Sequence, residues 1–178
     1  MKLTLTSLCA TLLLTGWLHA GEPAKPTASP EFERLKSLVG TWTGKADMGQ
    51  GPVDLTIQYR LIAGGSVLEE RTGAGTPMEM VTMYYDKAGK LAMTHYCVMG
   101  NRPEMALKSS DSKSLTFDLD AACCTFDTKK ESYMRGVTIS FEDADTISSA
   151  CSAVIDGKET THPPTTFKRV KTEITSAK

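Results

Sequence analysis

Hydrophobic and polar residues alternate with a period of two along most of this chain. Val53, Leu55, Ile57, Tyr59 and Leu61 are interleaved with Asp54, Thr56, Gln58 and Arg60. Successive strand side chains point to opposite sides, so this is the pattern of a strand with one buried face. Ala63-Gly-Gly65 makes a turn and residues 67–72 return. After a breaker at residues 73–77, two β-rich runs at 80–86 and 91–97 flank Lys87-Ala-Gly-Lys90, a hairpin signature. Further strands are predicted over residues 113–120, 135–142, 146–155 and 165–170, with turns at Asp143-Ala-Asp145 and Asp156-Gly157. One short helix precedes them all. Ser29 can cap it, Pro30 suits its first position, Phe32, Leu35 and Val39 share a side, and Gly40 is its stop.

Roughly eight to ten short strands with a single helix form a meander that must hide its edges, and full closure hides them completely. The expected fold is therefore all-β: an antiparallel up-and-down β-barrel with a short N-terminal helix. A two-sheet sandwich is the alternative that fits the same strand spacing. A barrel of this size encloses room for about one small ligand.

The ends of the chain read differently. Lys2, the apolar stretch from Leu3 to Leu14 and a cut near Ala20 make residues 1–20 a secretory signal peptide. Cys9 lacks the small preceding residue that lipidation requires, because Leu8 stands there. Residues 21–30 are expected to be a flexible linker, 31–171 the barrel domain and 172–178 a flexible tail. This places the mature protein in the periplasm or outside the cell, with no membrane insertion. The formal net charge is −1 and no basic stripe occurs, which argues against a nucleic-acid partner. Cys97, Cys123, Cys124 and Cys151 remain after processing. In an oxidising compartment they suggest a disulfide, and strand parity favours Cys123 with Cys151.

The stretch Val39-Gly-Thr-Trp-Thr-Gly44 resembles the Gly-x-Trp start of lipocalins and related calycins. That resemblance implies that Trp42 closes the barrel bottom and that Arg169, in Phe167-Lys-Arg-Val170, lies over its ring. The chain is also similar, over residues 32–170, to a bacterial lipocalin-like family of unknown function. Tyr59-Arg-Leu-Ile-Ala-Gly-Gly-Ser66, Glu79-Met-Val-Thr-Met-Tyr84 and Thr94-His-Tyr-Cys97, continuing to Gly100-Asn101, Pro103 and Met105, carry that likeness. It implies a calycin-like barrel and no established activity. Relatives carry His where this chain has Met78, Tyr85 and Arg135, so only His95 of that set is present.

His95 is the leading candidate for chemistry. Leu91, Met93, His95 and Cys97 share one mostly apolar face, which should point inward. There His95 can anchor the polar end of a ligand. The alternative is a buried neutral ring bonded to Tyr85 or Asn101. The expected ligand site is Tyr59, Met83, Tyr85, Met93 and His95, with Asn101 at the rim. His95 and Cys97 stand roughly 7 Å apart along the strand, too far for a simple thiol dyad, and no other catalytic signature occurs. The protein is therefore expected not to be an enzyme, and to need no cofactor. Met78, Met80, Met83, Met93, Met99 and Met105 surround the hairpin. With His95 and Cys97 they offer soft ligands for copper as one alternative. Haem held through His95 or His162 is another, although Pro163-Pro164 suggests an exposed loop for His162. A third is an interaction module with a filled core. Of Glu69 and Glu70, one must share the face of Val67 unless a bulge intervenes; it could face the cavity and pair with a cationic or hydroxylated ligand, and a solvated rim position is the favoured expectation.

Overall fold

A computed structural model describes residues 27–47 and 51–171. The expected signal peptide (1–20), residues 21–26 of the linker and the tail at 172–178 lie outside the described residues. The chain forms an all-β, closed antiparallel up-and-down barrel of ten strands with one short N-terminal helix. No described helix is long and apolar enough to cross a membrane.

Helix α1, Pro30–Leu35, starts where Ser29 Oγ accepts from the Phe32 N–H at 3.1 Å. The Ser29 N–H and hydroxyl both donate to the Asp86 carboxylate at 2.7 Å, which fixes the helix to the barrel. A 3-10 turn, Lys36–Leu38, continues it. Three residues per turn bring Phe32, Leu35 and Leu38 onto one buried line, while Val39 turns out to solvent. The expected inward position of Val39 is thus taken by Leu38. Gly40, with φ 131°, opens β1 rather than merely ending the helix.

Strand β1 is Gly40–Asp47, β2 Pro52–Ile62 and β3 Val67–Thr72. The hairpin pair is β4 Met80–Lys87 and β5 Lys90–Tyr96. Its turn residues Ala88 and Gly89 both have positive φ, the geometry whose twist matches that of the flanking strands. Then come β6 Glu104–Ser110, β7 Ser114–Leu119, β8 Tyr133–Asp143 and β9 Thr146–Ile155. The last strand is made of two collinear pieces, β10 Lys158–Thr161 and β11 Thr165–Arg169, both pairing with β9. Pairing of β8 with β9, and of β11 with β1, closes the ring. This rules out the sandwich.

Three strands have no counterpart in the periodicity: β1, which the Gly40-Thr-Trp42 likeness alone marks, β6 and β10. β10 is exposed at every position, and β6 buries only Met105 fully and carries a bulge between Leu107 and Ser109. The expected Cys123–Cys151 bridge is also absent: Cys97, Cys123, Cys124 and Cys151 are all free. Cys123 lies in a 3-10 turn after β7, where Lys87 Nζ donates to its sulfur at 3.1 Å on the outer surface. Cys151 instead lines the barrel interior, so the wall separates the two thiols.

The helix end of the barrel is sealed. Trp42 is buried and donates from Nε1 to the Leu38 carbonyl at 2.8 Å. The Arg169 guanidinium lies 4.2 Å from its ring centroid and donates to the carbonyls of Ser37 and Val39 at 2.7 and 2.8 Å. Gly44 allows β11 to approach closely, since a Cβ there would strike the Thr166 carbonyl and the Phe167 ring. Trp42→Ala is expected to destabilise the fold by about 3–5 kcal/mol in urea unfolding, as for other large-to-small core changes. A loss under about 1 kcal/mol would show that the ring does not seal the barrel.

Candidate functional site

Cross-strand pairing arranges the inward side chains in layers, because directly opposed residues share a face. One layer toward the helix end is Leu68, Tyr84, Met93, Met105 and Leu119, paired in sequence from β3 to β7. One layer above, Tyr59, Glu70, Thr82 and His95 form a polar row across β2 to β5. Ile57, Thr72 and Met80 form the next. The polar row therefore sits just above an apolar floor.

Above that floor is a cavity of about 430 Å³, open at the end away from the helix. Its volume falls in the range of small-molecule pockets, roughly 300–1,000 Å³. Met78, Val98, Met99 and Ile155 line its mouth and are also exposed to solvent. Deeper walls come from Met80, Met134, Val137 and Phe167.

Of the residues expected at the site, Tyr59, Met93 and His95 line the cavity. Met83 and Tyr85 do not. The register pairs Met93 with Tyr84 and His95 with Thr82, so turning Met93 and His95 inward turns Met83 and Tyr85 outward. The Tyr85 hydroxyl meets the Thr94 hydroxyl at 3.0 Å on the outer face. Asn101 braces a loop, its Nδ2 donating to the Ser132 carbonyl at 2.9 Å, and it does not line the cavity. His162, expected in an exposed loop, is half-buried in the cavity wall, where its N–H donates to the Cys151 carbonyl at 3.0 Å.

The two glutamates separate. Glu69 points outward, buried beneath Arg60, whose Nε and Nη2 donate to its two oxygens at 2.7 and 3.0 Å. Glu70 points into the cavity. Its Oε2 accepts from the Tyr84 hydroxyl at 2.7 Å and its Oε1 from the Thr72 hydroxyl at 3.2 Å, and Tyr59 faces it across the β2–β3 pair. Burial pushes the Glu70 carboxyl up, against the opposing pull of these hydrogen bonds. Burial, and then the nearby Glu70 charge, push both phenols well above the ordinary tyrosine value. A turn-based register could have found Glu70. The four residues Ala63–Ser66 between Ile62 and Val67 set Tyr59 opposite Glu70, and Tyr59 already faced inward by alternation.

His95 Nδ1 meets the Thr82 hydroxyl at 2.9 Å. Burial lowers its pKa to about 4, so the ring is neutral at neutral pH. Burial raises the Cys97 thiol, and it raises Cys151 to about 11 with a further push from Glu70, so both keep their protons. Among the described residues no group of three His, Cys, Asp or Glu could hold a metal ion.

No protein-family model matches the chain, and no curated protein matches it. Among solved structures it is similar to a protein of unknown function from the DUF3598 family of Nostoc punctiforme PCC 73102. The two are 16% identical with a TM-score of 0.43 over 76% of this chain. The match spans about half of that protein, 48% of its length.

The His95 environment makes stability depend on pH. An unfolded His titrates near 6.5 and this one near 4, so between those values the unfolded chain binds the extra proton. Stability from this source is present above pH 6.5 and is lost as pH falls to 4, by up to about 3 kcal/mol. Glu70 acts in the opposite sense: its raised carboxyl stabilises the fold at low pH, and that contribution fades as pH rises. His95→Gln isolates the first effect. Between pH 7 and 4.5, wild type should lose about 1–3 kcal/mol more urea stability than the variant. Equal losses would show that His95 takes its proton as readily in the folded chain.

Proposed function

We propose that this protein is an exported carrier that holds a small, largely apolar molecule in its barrel cavity and catalyses no reaction on it. The observation that carries this reading is the barrel interior: about 430 Å³, walled mainly by apolar side chains, with Tyr59, Glu70, Thr82 and His95 forming a polar row near the floor. An apolar body gains by leaving water for such walls, while a few placed polar groups set its orientation. Export is supported by residues 1–20 as a signal sequence. Kinship with lipocalin-like barrels is supported by Gly40-Thr-Trp42 at the start of β1 and by the Arg169 closure over Trp42.

A second reading has its own observation. Met78, Met80, Met93 and Met99 line the cavity together with Cys97 and His95, a concentration of soft donors suited to Cu(I). The same thioethers also adapt to irregular apolar ligands. Retention of Cu(I) against a chelator would favour the metal, and lack of retention the organic ligand.

The carrier reading predicts binding of a neutral apolar fluorophore such as N-phenyl-1-naphthylamine. Cys151 lines the cavity, so Cys151→Phe should plug it and weaken that binding by about tenfold or more, about 1.4 kcal/mol or greater. Cys151→Ser should stay close to wild type. Fluorescence enhancement in titrations of all three proteins measures this. Undiminished binding by a folded Cys151→Phe variant would place the probe elsewhere and sink the reading.

A further inference from the structure

Glu70 is the carboxylate deep inside the cavity, and among the described residues no Lys or Arg lines the cavity. Nearby cations are engaged elsewhere: Lys45 with Asp54, Arg60 with Glu69, Arg71 with Glu79 and Arg135 with Glu159. The two imidazoles on the wall, His95 and His162, do not restore the balance at depth, because His95 is neutral.

Glu70 is met from every side by neutral groups. Tyr59 reaches it from β2, Tyr84 from β4 and Thr72 from its own strand, while the Cys151 thiol lies near it from β9. A carboxylate offers about four acceptor positions. Two are taken by the Tyr84 and Thr72 hydroxyls, and among the described residues no Lys or Arg in the cavity wall supplies a counter-charge. Buried carboxylates are ordinarily paired with a cation. The missing partner is the kind of group a ligand can bring.

We propose that the cavity selects a cationic amine with an apolar body. The ammonium donates into the open acceptor position of Glu70, within the Tyr59–Tyr84–Thr72 cradle. The apolar body extends along Met80, Met134 and Val137 toward Ile155 at the mouth. This rests on the carrier reading and adds the chemistry of the head group. A fatty acid is disfavoured, because its carboxylate would face Glu70 with like charge and displace hydroxyl donors that already serve that residue. Tyr59, Tyr84 and Cys151 keep their protons at neutral pH, and His95 stays uncharged, so Glu70 is the deep group whose ionisation the amine requires. Burial raises that carboxyl and an ammonium lowers it again, so amine affinity should climb with pH until Glu70 is fully ionised and then level off.

The test compares decylamine, decanol and decanoate below their micellar concentrations at pH 7, by calorimetry on the mature protein. Decylamine should bind about tenfold or more tightly than decanoate, and Glu70→Gln should erase that preference. Tyr84→Phe, which keeps the ring and removes one donor, should shift the pH midpoint of decylamine binding upward, a readout that stands if the Glu70 variant does not fold. Decanoate or decanol binding as tightly as decylamine would overturn the head-group assignment and leave the carrier reading intact. Failure of all three, together with failure of the neutral fluorophore, would overturn both.

Discussion

Arg169 is where the barrel is tied shut. Its guanidinium covers Trp42 and at the same time donates to the Ser37 carbonyl in the 3-10 turn and to the Val39 carbonyl just after it. One side chain thus joins the final strand to the first and both to the helix. A partly exposed cation over an indole ring contributes on the order of 1 kcal/mol, so its importance is geometric. With that end closed by Trp42, Phe32, Leu35 and Leu38, the cavity opens at the other end. An open tube would exchange its contents at both ends and could not hold a polar row away from water.

The layering of the interior follows from register. Leu68, Tyr84, Met93 and Met105 make an apolar floor, and the row above it collects Tyr59, Glu70, Thr82 and His95. Each polar group in that row has a partner within it or one layer away: Tyr84 reaches up to Glu70, and Thr82 meets His95. Burial then sets their protonation. The imidazole and thiols are kept neutral, and the carboxylate is left as the deep group that can still carry charge.

Alternation along the chain was enough to locate the strands that bury one face, including β2, β3 and β9. It was silent for β10, where every side chain is exposed, and for β6, where a bulge interrupts the period. Facing errors had a different origin. The direction of Met83 and Tyr85 is dictated by the partner strand, on which Met93 and His95 turn inward. Glu70 shows the same lesson in reverse, since its inward direction was implicit in the Ala63–Ser66 turn and in Tyr59. The cysteine pairing failed because parity along β7 does not carry through the 3-10 turn that holds Cys123.

The interruption between β10 and β11 makes the wall uneven in strength. Across from Ala150 and Cys151, three residues stand where two would fit: His162, Pro163 and Pro164. His162 still donates to the Cys151 carbonyl, but neither proline has an N–H to give. Local opening in folded proteins begins where backbone pairing is sparse. This seam runs beside the cavity, with His162 and Pro163 in its lining. On this side of the cavity β9 is therefore held through Ala150 and Cys151 mainly by its other neighbour, β8.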